Sequence, residues 1–144
     1  MKDSIEVKGI FEVNIFKNNK LVEHYIDNNL VVTLGKTKLC KLIANDGISN
    51  YIQSISFGTS TINPTVADTA ITDPFTKSLI GYEYPTTRSV KFNWELETSE
   101  ANGKAISEFG LICADDTLFA RKIRGTIQKE SDVFLSGSWT ILFI

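Results

Sequence analysis

Residues Asn29–Thr72 read NLVVTLGKTKLCKLIANDGISNYIQSISFGTSTINPTVADTAIT. Leu30–Val32 is a short apolar segment, and Thr33 is placed to cap a helix by accepting from its free N–H groups. Leu34, Leu39, Leu42 and Ile43 then fall on one stripe beside Cys40, while Lys36, Lys38 and Lys41 face elsewhere. Asn45-Asp46-Gly47 ends the helix, with Gly47 supplying a left-handed residue. A helix of roughly three turns cannot stand alone and must dock on a sheet. Tyr51–Phe57 reads as its exit strand, Gly58–Thr61 as a turn, and Pro64 stiffens the loop. Asp68 is expected to cap a single helical turn through Ala70 and Ile71, which Pro74 ends.

On either side of this stretch the pattern is that of strands. Within Ser4–Phe16, Ile5, Val7, Phe11, Val13 and Ile15 alternate with Glu6, Lys8, Glu12 and Asn14, which is a strand with one buried face. Lys17–Lys20 (KNNK) is a hairpin turn, since Asn tolerates positive φ. Leu21–Ile26 returns with a weaker pattern that suits an edge, before the polar break Asp27–Asn29. Phe75–Tyr84 is a further strand. In Arg88–Thr98, Val90, Phe92, Trp94 and Leu96 point one way. Lys104–Ala114 answers it across the tip Ser99–Gly103. There Ile106 is out of phase with Phe109, Leu111 and Cys113, so a β-bulge is expected near Ser107–Glu108. Leu118–Ile123 is a short strand, Gly125–Asp132 a polar connection, and Val133–Ile144 the last strand. The sum is a mainly β fold, a two-sheet antiparallel β-sandwich of about seven or eight strands with one packed α-helix.

With 144 residues, 42% hydrophobic and 22% charged, the chain fits one globular domain over 1–144. A net charge of −2 with scattered Lys and Arg gives no basic stripe, so nucleic acid is not an expected partner. No apolar run approaches the roughly 20 residues of a membrane-spanning helix, so no membrane association is expected. The opening MKDSIEVKGIF carries acidic residues where a signal peptide is apolar, which points to folding in a cytoplasm. The two cysteines, Cys40 and Cys113, agree, each reading as a small core hydrophobe.

No catalytic or metal constellation stands out, and no cofactor is expected. Glu95 and Glu97 share the solvent face of an alternating strand, not the facing arrangement that glycoside hydrolysis needs. Gly58-Thr59-Ser60-Thr61 lacks the GxxxxGK[ST] pattern of a phosphate cradle. His24 has no second histidine, and Trp94 and Trp139 are in phase with apolar sets, hence core. Glu108, at the proposed bulge, is expected to accept bonds from loop amides that the distorted ladder leaves unpaired.

Three segments together, NLVVTLGKTKLCKLIA, ISFGTSTINPTVADTAI and ISEFGLICADDTLFARK, resemble a family of small bacteriophage virion proteins met in tail-fibre and baseplate regions. The matching positions are Gly35, Gly58, Thr59, Asp68, Thr69, Glu108, Gly110, Leu111, Ala120 and Arg121, with Ile71 where the pattern usually has leucine. The match covers 29–144 as the family-like core. The hairpin in 1–28 lies outside it and reads as a docking element of this protein's own. The resemblance implies a non-enzymatic structural part of a virion, made in the host cytoplasm, and Gly35, Gly58, Thr59, Asp68, Glu108 and Gly110 would be its structural residues.

A tail component is the first expectation: fibre base, baseplate or an adaptor between them. A head, collar or capsid-decoration protein is the alternative within that class. A different class is a module binding host glycans, for which Tyr82 and Tyr84 are the candidate aromatics. An enzyme using Glu108 with Asp115 or Asp116 is the third reading. The unblunted apolar ending Trp139–Ile144 suggests an exposed edge used for homo-oligomerisation or docking onto other virion proteins. Trp139, Ile141, Phe143 and Ile144 are the expected interface residues.

Overall fold

A computed structural model describes residues 4–144. It contains β1 (Val7–Lys17), β2 (Lys20–Val31), α1 (Thr33–Ala44), β3 (Ile52–Gly58), β4 (Phe75–Ser78), β5 (Gly81–Glu83), β6 (Ser89–Leu96), β7 (Ala105–Cys113), β8 (Leu118–Gln128) and β9 (Val133–Phe143). The fold is mainly β with one helix. In place of two separate sheets of seven or eight strands, nine strands form one antiparallel sheet in the order β4-β3-β7-β8-β2-β1-β9-β6-β5. That sheet curls into a half-barrel, because two stretches of chain change partners along their length.

The first is β2, which pairs with β1 from Lys20 to Asn29 but with β8 only at Leu30 and Val31. It runs straight through Asp27–Asn29, so the expected polar break is corrected, while Leu21–Ile26 pairs with β1 alone and keeps the expected edge position. The turn before it is as read: Asn18 and Asn19 hold φ of 50° and 65°, the two positive values of a type I′ hairpin. The second is the run Phe75–Glu83, expected as one strand. Its first part pairs with β3 and its second with β6. The Leu79 N–H donates to the Gln53 carbonyl (3.0 Å) and the next residue's N–H, at Ile80, to the Asn93 carbonyl (2.8 Å). Two neighbouring peptides thus bond opposite edges of the sheet, a corner where the chain passes from one half to the other.

Curling lets the inner face bury itself. Phe11, Phe57, Trp94, Phe109 and Trp139 are all at most 1% exposed. Phe11 is the hub, with ring centroids 4.6 Å from Phe109 and 5.1 Å from Trp139. Such pairs add roughly 0.5–1.5 kcal/mol each beyond their burial. Gly137 opposite Trp94 leaves the indole room that any side chain would take. The terminal strand β9 lies between β1 and β6 and is paired on both sides, so it is not a bare edge. Trp139 and Ile141 are core residues instead of interface residues; Phe143 is half-buried and Ile144 exposed. The expected bulge is present as a register shift between Ile106 and Glu108, and β8 continues to Gln128 through what reads as a polar connection.

The helix departs most from expectation. Val32, not Thr33, is its N-cap, and Asn45, not Gly47, is the left-handed C-cap residue, although Gly47 also has positive φ. Its buried residues are Gly35 and Lys38, whereas Cys40, Leu42 and Ile43 are exposed. Gly35 explains the reversal. A Cβ there would run into the Phe119 carbonyl of β8, so the helix lies against the strand along its glycine side. Lys38 is drawn under with it. The stem is covered while the ammonium reaches Asn50 Oδ1 at 3.0 Å and Asp115 on the β7–β8 turn.

Lys129 is a second buried lysine, wholly covered and without a carboxylate in salt-bridge range among the described residues. Its Nζ donates to Asn102 Oδ1 (2.9 Å) and to the Thr98 and Glu130 carbonyls (3.3 and 3.2 Å), tying the β6–β7 hairpin tip to the end of β8. Burial pushes its pKa down.

The Lys38 contact holds the Asp115 carboxyl at about 2, below its ordinary 3.8, against an opposing effect of burial. A depressed carboxylate adds stability above its unfolded pKa and loses it as pH falls through the folded one. Thermal melts should therefore show a loss of stability between pH 3.8 and about 2. Asp115→Asn should lower the melting temperature at pH 7 and make that acid slope shallower. An unchanged slope would show that the pair does not anchor the helix.

Candidate functional site

Two places gather the side chains that could carry function. The first lies on the outer face of β3, β7 and β8, where most of the residues singled out from the sequence meet. Glu108, 0% exposed, follows the register shift, and its carboxylate faces the long loop 59–74. Oε1 accepts from the Thr72 N–H (2.9 Å) and the Ser60 N–H (3.2 Å), and Oε2 from Arg121 Nε (2.8 Å). These are the loop-amide bonds expected of it. Arg121, on β8 beside Gly110, spends the rest of its guanidinium on the same loop: Nη1 on Asp68 Oδ2 (2.9 Å), Nη2 on Ser60 Oγ and the Ile62 carbonyl.

Asp68 makes no helical turn through Ala70 and Ile71. It bends back instead, its two carboxylate oxygens accepting from the Thr65 N–H (2.8 Å) and hydroxyl (2.9 Å). Burial pushes its pKa up, but the Thr65 and Arg121 bonds outweigh that and hold it below the ordinary value. Gly58 and Gly110 form the floor. A Cβ on either would collide with Ile71, and one on Gly58 also with the Glu108 carboxylate. The Thr59 N–H closes the loop base on the Thr72 carbonyl at 3.2 Å. Gly58, Thr59, Asp68, Glu108, Gly110 and Arg121 thus form one assembly, while Gly35 acts separately at the helix. The chemistry of the assembly is a cross-link. Both oxygens of Glu108 are engaged and covered, so neither can reach a substrate.

The other carboxylates do not join it. Asp115 is held by Lys38. Burial, then the neighbouring Glu97 carboxylate, pushes Glu95 up, but Glu95 lies on β6 and Glu97 just past its end, not across a cleft from each other. His24 faces Glu12 at 3.1 Å on the exposed hairpin. Among the described residues, no group of three or more His, Cys, Asp or Glu side chains is placed to hold a metal ion.

The second place is a cleft of about 400 Å³ at the mouth of the half-barrel, between α1, the start of β3, and β5, β6 and β9. Buried Phe119 and Ile141 line it, together with half-buried Leu39 from α1 and Phe92 from β6. Tyr51, Tyr82 and Tyr84 also line it, and all three are more than half exposed. Tyr82 and Tyr84, the two aromatics considered for sugar stacking, come together here with centroids 5.7 Å apart, but their planes meet at 67°. That is an edge-on pair and not a flat platform. The cleft was not legible in the sequence, because its residues come from six separate segments.

No family model, no curated protein and no solved structure matches this chain.

Removing one partner of a buried, hydrogen-bonded ion pair costs about 3–5 kcal/mol. Glu108→Ala and Arg121→Met should each destabilise the fold by that order in denaturant titrations. The double variant should cost clearly less than their sum, since both act on one unit. Additive costs would mean that the two side chains do not work together.

Proposed function

We propose that this protein is a non-enzymatic structural component of a bacteriophage virion, most simply of the tail, acting by docking onto neighbouring chains. The observation that carries the proposal is the assembly around Glu108 and Arg121. The residues that resemble the virion-protein pattern, drawn from the two ends of the loop and from β7 and β8, are spent on fixing that loop to the sheet. A motif that holds shape and offers no reactive group suits a building block better than an enzyme.

The first hairpin, and not the terminal strand, would be the docking surface. Most of β2 is paired on one side only, and Leu21, Val22 and Ile26 are each more than half exposed on it. Leu21, Phe16 and Phe134 follow one another across β2, β1 and β9, with the two phenylalanine rings 5.9 Å apart. An aliphatic surface beside a free strand edge is the kind normally covered by a partner. Other virion proteins or a second copy of the chain would be that partner. The glycan-binding alternative draws less support, since the exposed tyrosines line a cleft of apolar side chains with few groups to bond sugar hydroxyls.

Replacing Leu21, Val22 and Ile26 together by lysine should leave the melting temperature nearly unchanged, because these side chains are exposed. It should weaken self-association, or capture of the particle's other proteins, by at least about tenfold, equivalent to about 1.4 kcal/mol. Sedimentation and pull-down against isolated particle components would measure it. A parent chain that stays monomeric and binds no particle component would overturn the proposal.

A further inference from the structure

We infer that the cleft at the mouth of the half-barrel is a binding site for one neutral, largely hydrocarbon small molecule, a class of ligand independent of the docking role above. The two corners of the curled sheet are filled differently. Where β2 leaves β8, the gap is stopped by the protein's own charged side chains: Lys122 bonds Asp27 at 2.7 Å and Arg124 bonds Glu23 at 2.8 Å, with both cations over the Tyr25 ring. Where β3 and β5 part beyond the Leu79–Ile80 crossing, no charged side chain among the described residues fills the gap, and the cleft of about 400 Å³ remains.

Charge fixes the occupant's chemistry. No lining side chain is charged, and the only polar atoms these side chains bring are the hydroxyls of Tyr51, Tyr82 and Tyr84. A charged ligand would lose its hydration without a counter-ion, whereas an apolar body gains burial at no such cost. Size bounds it further. A dry apolar cavity of roughly 150 Å³ takes benzene, so this one takes a body of two or three rings or a chain of roughly a dozen carbons. The phenols at the rim leave one end of such a molecule free to make a hydrogen bond. Small-molecule sites have this make-up, an apolar lining with a few polar groups at its edge.

The test is a fluorescence titration of the full chain with N-phenyl-1-naphthylamine, a neutral three-ring probe that brightens in apolar surroundings. Saturable one-to-one binding is expected. Leu42, 45% exposed, lines the cleft, while its neighbour Ile43 is 88% exposed and lies outside it. Leu42→Glu should weaken the probe at least about tenfold, and Tyr84→Glu, 71% exposed in the parent, should act the same way. Ile43→Glu should leave binding unchanged, and melting curves should confirm that all three variants fold. Failure of the probe to saturate, or an Ile43→Glu loss as large as that of Leu42→Glu, would overturn the inference. Neither result bears on self-association, which is read by sedimentation.

Discussion

A single sheet of nine strands has an apolar face too large to leave in water and no second sheet to cover it, so it must bend round on itself. Bending is possible only where the chain abandons one neighbour for another. Here that happens twice, within β2 and between Leu79 and Ile80. The ring cluster depends on those two corners, because Phe11, Trp94 and Trp139 come from one half of the curl and Phe57 and Phe109 from the other. The helix closes no sheet. It lies against β8 through Gly35 and Lys38, an outrigger more than a core element.

The loop 59–74 poses a different problem, since a segment without regular structure has many backbone groups to satisfy. The solution is a buried charge pair with a wide reach. Glu108 takes N–H groups from both ends of the loop, and Arg121 gives to its middle and to Asp68. Glycines at 58 and 110 let the loop come down onto the strands, and the bulge turns Glu108 toward it. Sequence features that look unrelated, a bulge, two glycines and an Asp-Thr pair, turn out to serve one fastening.

Much of this was legible residue by residue. Alternation marked β1 and β6, the out-of-phase Ile106 marked the bulge, and the phase of Trp94 and Trp139 marked the core. What was not legible depended on contacts between distant segments. Leu42, Ile43 and Cys40 have the period of a buried stripe, but Gly35 decides which side of the helix touches the sheet, and periodicity gives glycine no weight. The burial of Lys38, read as off the apolar stripe, and of Lys129, within the expected polar connection, is made possible by acceptors contributed from other elements. The apolar ending looked like an exposed edge because a strand's partners cannot be read from its own residues; β1 and β6 cover it from both sides. The cleft, assembled from six segments, left no local trace.

The pairing of β1 with β9 sets Val7 beside Phe143. During synthesis β1 must therefore wait for the more than one hundred residues that separate it from β9 before its second neighbour arrives. Until then Phe11 can pack on Phe109 of β7, but the side of β1 that Val133–Phe143 covers stays unpaired. Contacts so far apart along a polypeptide close slowly and leave sticky intermediates. A copy lacking β9 would leave β1 with a second open edge along Val7–Lys17, a template for pairing with another chain.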